Sequence, residues 1–216
     1  MNDEVKETGR VEAFSDGVFA IAITLLILEI PVPGNSPRLA TDVWLHWPSF
    51  AGYAISFLSI LVMWMNHHTI FEMVRRINRI FLFLNGLLLM LITFVNYPTA
   101  LVAAYFNQSG ETFAALFYNS TFVVIALIFN ILWLYASSHG RLLSRSVSPA
   151  RVRSITVQYR FGPVFYLAAF LLAFVSVPAS LATDLLLAIF FCFSGINNRS
   201  RARPDIEQEG QDQLPA

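Results

Sequence analysis

The sequence predicts an all-α integral membrane protein with six transmembrane helices and both termini on the cytoplasmic side. Three observations lead there. Of 216 residues, 56% are apolar and only 13% charged, with a mean hydropathy of +0.59. A soluble domain carries about a quarter charged residues, so this chain holds roughly half the charge needed to coat a water-facing surface. The apolar residues are gathered into six runs separated by charge-bearing breaks, and every basic residue except Arg38 falls on alternate breaks. The net charge of zero argues against a nucleic-acid binder, which needs a basic stripe. A single cysteine, Cys192, leaves no material for a disulfide framework, a Cys-rich zinc site or an iron–sulfur cluster.

The runs can be taken in order. The first covers residues 14–30 and stops at Pro31-Val32-Pro33-Gly34. It contains Ser15, Asp16, Thr24 and Glu29 and lacks a small-residue cleavage site, which makes it a span rather than a cleaved signal peptide. A polar stretch, 35–47, leads to the second run, 49–71, which ends at Glu72 and the Arg75-Arg76 pair. The third, 80–106, is interrupted by Asn96-Tyr97-Pro98, and the fourth covers 112–138. The fifth and sixth cover 161–177 and 180–194. The chain therefore divides into a membrane domain, 1–196, and a polar tail, 197–216, with Pro204 and Pro215, expected to be disordered and cytoplasmic. No soluble domain of useful size lies between the spans, so the function belongs in the membrane. Neither a nucleophile–base–orienter pattern nor a Gly-rich phosphate loop is present, which argues against an enzyme.

Orientation follows from the basic residues. Lys6 and Arg10 precede the first span, and Arg75, Arg76 and Arg79 follow the second. Arg141, Arg145, Arg151, Arg153 and Arg160 lie between the fourth and fifth, and Arg199, Arg201 and Arg203 follow the sixth. The positive-inside rule places all four clusters in the cytoplasm, which requires an even number of spans.

Ionisable and amide groups inside spans are functional candidates because their burial in lipid is costly. Counted from the nearest cytoplasmic arginine at about 1.5 Å per residue, Asp16 and Asn85 lie roughly 9 Å in, and His67 and His68 roughly 10–12 Å in. Three spans thus place polar groups in one layer, where they can satisfy one another's hydrogen bonds. Such a layer can be a structural clasp or a titratable switch. A metal site is disfavoured, because adjacent histidines on a helix point about 100° apart and suit two different partners. On the first span, Ile21, Thr24, Leu25 and Leu28 share one helical face. Asp16 and Glu29 flank this face on the inner and outer sides, an arrangement tolerable along a water-filled path whose dry section runs from Ile21 to Leu28.

The residues Arg10-Val11-Glu12-Ala13-Phe14-Ser15-Asp16-Gly17 match the Arg-x-x-x-Phe-Ser-Asp signature that opens the first span of the transmembrane protein 175 family, and Trp64 with His67-His68 is similar to a stretch late in that family's second span. The whole chain resembles the bacterial, single-repeat members. The resemblance implies a potassium-permeable cation channel without a Thr-Val-Gly-Tyr-Gly filter, a run this sequence lacks. It further implies a homotetramer in a bacterial plasma membrane, with the first helix lining a central pore and potassium as the permeant ion. No cofactor is implied. Ile21, Leu25 and Leu28, with Thr24 among them, match the family's constriction and selectivity positions. Arg10, Phe14, Ser15 and Asp16 carry the signature, and Glu29 stands at the outer mouth. A proton conductor or proton-coupled transporter using Asp16, His67 and His68 is the alternative.

Overall fold

The computed structural model describes residues 3–138 and 142–201, with side chains described for 8–138 and 142–192. Within those residues all regular structure is helical apart from one isolated bridge. The first helix, α1, spans Asp3–Leu25 and tightens into a 3-10 turn over Leu26–Glu29. It stops because Pro31 disfavours a helical residue before it, and Ile30 is extended (φ −86°, ψ 111°). A short helix, α2 (Leu39–Leu45), lies in the connection that the sequence reads as merely polar. The second span is α3 (Trp47–Met73), with Pro48 in its first turn, where a missing N–H costs nothing.

The third span is two helices, α4 (Arg79–Phe94) and α5 (Asn96–Tyr105), meeting at Val95. Asn78 caps α4 by accepting from the Phe81 N–H at 2.9 Å. Pro98 cannot donate to the Phe94 carbonyl, so the ladder is broken where the sequence places the interruption. The Thr99 hydroxyl donates to the Val95 carbonyl at 2.8 Å. Ser56 therefore donates to Thr99 (2.7 Å), and the Tyr118 hydroxyl donates to Ser56 (3.0 Å). This buried hydroxyl chain fastens the break to two neighbouring helices. The fourth span, α6 (Glu111–Ser137), starts after Gly110, whose φ of 106° favours glycine.

The largest departure from the sequence reading is α7. Its apolar run starts at 161, but the helix covers Pro149–Leu172. Ser148 accepts from the Arg151 N–H and Pro149 occupies the first turn, so the helix starts on a strong local signal well before it meets lipid. Hydropathy locates where a helix becomes apolar, not where it begins. The last helix, α8, covers Val177–Arg201. The expected tail, 197–216, lies outside the described residues from 202 onward. Five helical segments are long and apolar enough to cross a membrane: Thr8–Glu29, Trp47–Met73, Arg79–Tyr105, Glu111–Ser137 and Pro149–Leu172. The apolar part of α8, Val177–Cys192, is shorter.

Packing centres on α3 and α6. Helix α3 touches α1, α5 and α8, while α6 touches α4, α5 and α7. Phe19, Ile60, Ile70, Phe81, Phe122 and Trp133 are all fully buried between them. At the arginine-rich end the connection after α3 is tied to the connection after α6. Arg75 N–H donates to the Leu142 carbonyl and Ser144 N–H to the Met73 carbonyl, both at 2.8 Å.

Pro163 sits inside α7 and leaves the carbonyl of Tyr159 without its helical donor. The side-chain amide of Asn130 on α6 donates to that carbonyl instead. In lipid such a carbonyl has no water to turn to. Asn130→Leu is expected to destabilise the protein by about 1–3 kcal/mol, the cost of orphaning a buried acceptor. A detergent-titration unfolding midpoint unchanged from the parent would show that the carbonyl has another partner.

The candidate pore helix and the polar layer behind it

Helix α1 has two unlike faces. Ser15, Phe19, Ala22 and Leu26 are buried to 1% exposure or less against α3 and α4. On the other side Phe14 is 66% exposed, Ile21 57%, Leu25 43% and Leu28 73%, with Thr24 also exposed. All four residues read as the dry section therefore lie on the face that α1 turns away from its own chain. The 3-10 turn eclipses positions three apart, so it brings Leu28 nearly above Leu25 rather than letting it drift round the helix. The Thr24 hydroxyl donates to the Ile21 carbonyl at 2.9 Å. Its hydrogen is spent on the helix, and its oxygen remains free to accept. Beyond Leu28, Glu29 is exposed on a cleft of about 580 Å³ shared with Pro31 and His46.

The inner polar groups pair in a pattern that sequence depth does not give. Asn85 on α4 is the hub, 3% exposed. Ser15 donates to the Val11 carbonyl at 2.8 Å, so it accepts from Asn85 Nδ2 at 3.0 Å. That fixes the amide with Oδ1 toward His67, and His67 Nε2 donates to it at 2.8 Å. The His67 ring is held between Phe71, stacked at 4.5 Å, and Phe19 at 5.2 Å. One side chain thereby ties α1, α3 and α4 together.

Asp16 does not pair with either histidine. Its Oδ1 accepts from Trp64 Nε1 at 2.8 Å, and the carboxylates that meet His68 are others. Glu12 Oε1 stands 3.0 Å from His68 Nδ1, and Glu72 Oε1 stands 3.5 Å from Nε2. Glu72 is also 3.7 Å from Arg151 at the start of α7. The expected single layer is thus two sets. His67–Asn85–Ser15 is buried, and Glu12–His68–Glu72 is half-exposed at the arginine-rich end. Glu12 is four residues before Asp16, one helical turn closer to the end of α3, which is why it and not Asp16 reaches His68. Arg10 is exposed.

Three participants escape the depth count. Glu12 and Glu72 are flanking charges in the sequence, and only the crossing of α1 with α3 brings them to one imidazole. Asp184 on α8 is 1% exposed, and neither carboxylate oxygen has a hydrogen-bond partner among the described residues. Nearby, Asn119 donates to the Ala115 carbonyl (2.9 Å) and to Ser180 (3.0 Å), which in turn donates to the Ala169 carbonyl (2.8 Å). A depth count from Arg199 puts Asp184 roughly 22 Å in, far from the inner layer. The rule that an ionisable residue within a span is a candidate covers it all the same.

Comparison with known proteins places these features. A family model described as the endosomal/lysosomal potassium channel TMEM175 matches residues 10–98. A protein from Chamaesiphon minutus named a potassium channel is 50% identical over 192 residues, covering 87% of this chain and 95% of its own length. The crystal structure of a lysosomal potassium-selective channel TMEM175 homolog from the same organism superposes with a TM-score of 0.81 at 48% identity, covering 88% of this chain and 98% of that one. A human protein named the endosomal/lysosomal proton channel TMEM175 is 33% identical over 141 residues, which is 60% of this chain and 28% of the human protein.

Proposed function

The chain belongs to the TMEM175 family, and from that premise we propose that it is a potassium-permeable, weakly to moderately selective cation channel of a bacterial plasma membrane. Four copies surround a common axis, each with six spans and cytoplasmic termini, α8 providing the sixth. The observation that carries this reading is the unpartnered face of α1. A pore-lining helix needs a buried side and a side turned from its own chain, and Ile21, Thr24, Leu25 and Leu28 all lie on the latter.

The mechanism follows from the chemistry of that face. Four Ile21 side chains form an apolar ring that sheds water and stops ions when narrow. A slight widening admits a cation that gives up part of its hydration shell. Potassium holds its water less tightly than sodium, so a narrow ring without strong ligands favours potassium modestly. The free oxygen of Thr24 supplies a substitute ligand one turn further along. Glu29 raises the local cation concentration at the outer mouth. The Asn85 hub holds α1 against α3 and α4 from behind, so the ring has a fixed backing.

Purified protein in a planar bilayer under a potassium chloride gradient is expected to reverse near the potassium potential, with a smaller shift for sodium. A reversal at zero under that gradient, or silence, rejects the channel. Glu12–His68–Glu72 favours a second reading, proton conduction, in line with the name of the human relative. An imidazole with a carboxylate at each nitrogen can take a proton on one side and release it on the other. Under symmetric potassium and a pH gradient, reversal at the proton potential, lost in His68→Phe, would establish that reading.

A further inference from the structure

At the arginine-rich end a cleft of about 770 Å³ opens between the end of α6, the 142–148 connection and the first turns of α7, and no residue of α1 lines it. Arg145, Arg153 and Arg160 line it, with Leu143, Val147 and Val157 forming an apolar wall. All three arginines are exposed, and among the described residues no acidic side chain pairs with them. The acid closest in kind, Glu72, is taken by Arg151 and His68. Three like charges around one cleft repel each other, and their mutual repulsion falls when an anion enters.

The spacing suits a particular anion. Arg153 and Arg160 are seven residues apart on α7, two turns or about 10 Å along the axis. Side chains on a helix lean toward its N-terminus, so Arg160 reaches outward to the cytoplasmic surface while its stem stays on apolar surface. The two guanidiniums then bracket a headgroup layer of roughly 5–8 Å per leaflet. Arginine forks match phosphate oxygens in pairs, and basic pockets beside spans on the cytoplasmic side are fitted to anionic headgroups.

We propose that this cleft is a binding site for a phosphate-bearing anion, held by Arg145, Arg153 and Arg160, with the apolar wall receiving the remainder of the molecule. The site uses the membrane orientation of the proposed channel but not its conduction, so current recordings and binding measurements can fail separately. The phosphate comes from a lipid headgroup or from free anion, and two arms separate these sources. In native mass spectrometry of the purified full-length protein, bound phosphatidylglycerol is expected to exceed phosphatidylcholine by about tenfold, from one or two charge-assisted bonds. Arg153→Gln/Arg160→Gln should reduce that preference to parity, whereas Arg38→Gln, on the opposite side of the membrane, should keep it. Arg160→Lys should fall between them, since it retains the charge and loses the fork. In the second arm, inorganic phosphate is compared with chloride at equal ionic strength in thermal unfolding. Stabilisation by phosphate that the double variant abolishes identifies free anion as a ligand; lipid preference without it identifies the headgroup. Equal binding of both lipids with no phosphate effect overturns the site, as does a double variant that behaves like the parent in both arms.

Discussion

Ile21→Asn is expected to increase single-channel current or basal leak on the order of tenfold. Ile21 is 57% exposed on the outward face of α1, so the substitution disturbs no packing within its own chain. Keeping a polar amide from water costs about 1–3 kcal/mol, so in the proposed tetramer a ring of amides holds water where a ring of isoleucines expels it. Lowering a barrier by about 1.4 kcal/mol is already a tenfold change in rate. Selectivity should fall as conductance rises, because a wetted ring no longer requires the ion to shed its shell. Ile21→Val keeps the ring apolar and should alter conductance far less. If Asn and the parent conduct alike in the planar bilayer, the constriction lies elsewhere.

The second large effect concerns stability. Asn85→Ala removes the acceptor of His67 and the donor of Ser15 together. Loss of an interhelical bond in a membrane averages about 0.6 kcal/mol. Here the cost should be larger, about 2–3 kcal/mol, because His67 is fully buried and its Nδ1 already lacks a hydrogen-bond partner among the described residues. After the substitution both ring nitrogens are orphaned. His67→Phe/Asn85→Leu is expected to recover most of the loss, since an aromatic ring keeps the stack on Phe71 and no polar group is left unpaired. Unfolding midpoints of His67→Phe, Asn85→Leu and the double give the coupling directly. If the double variant is as unstable as the sum of the singles, the hydrogen bond itself and not the orphaned ring sets the cost.

Much of the fold is legible in the sequence because lipid imposes a simple rule. Backbone groups have no water there, so each apolar run must be helical, and Pro98 marks where a run must break. The second, third and fourth runs end within two residues of their helices. The fifth does not, because Arg151, Arg153 and Arg160 read as connection, whereas Ser148-Pro149 starts the helix by capping it. Likewise α2 lies in a polar stretch where no hydrophobic period announces it.

The site divides along similar lines. The face of Ile21, Thr24, Leu25 and Leu28 is a property of one helix, and a 3.6-residue period is enough to assign it. The partners of Asp16, His67, His68 and Asn85 belong to helix crossings. Depth counted along separate helices placed these groups in one layer, but hydrogen bonds form or fail over about 3 Å, less than one turn of helix. The arginines at the ends of three spans do not set their relative height to that precision.

The sequence by itself determined the solvent, the helical character of the apolar runs and the outward face of α1, because each depends on local composition read against a bilayer. Only the tertiary structure decided that His67 belongs to Asn85 and His68 to Glu12 and Glu72, that Asp184 is sealed in the core without a hydrogen-bond partner among the described residues, and that three arginines converge on one cleft. Those pairings depend on how helices far apart in the chain cross, and crossing geometry is set by packing among all of them at once.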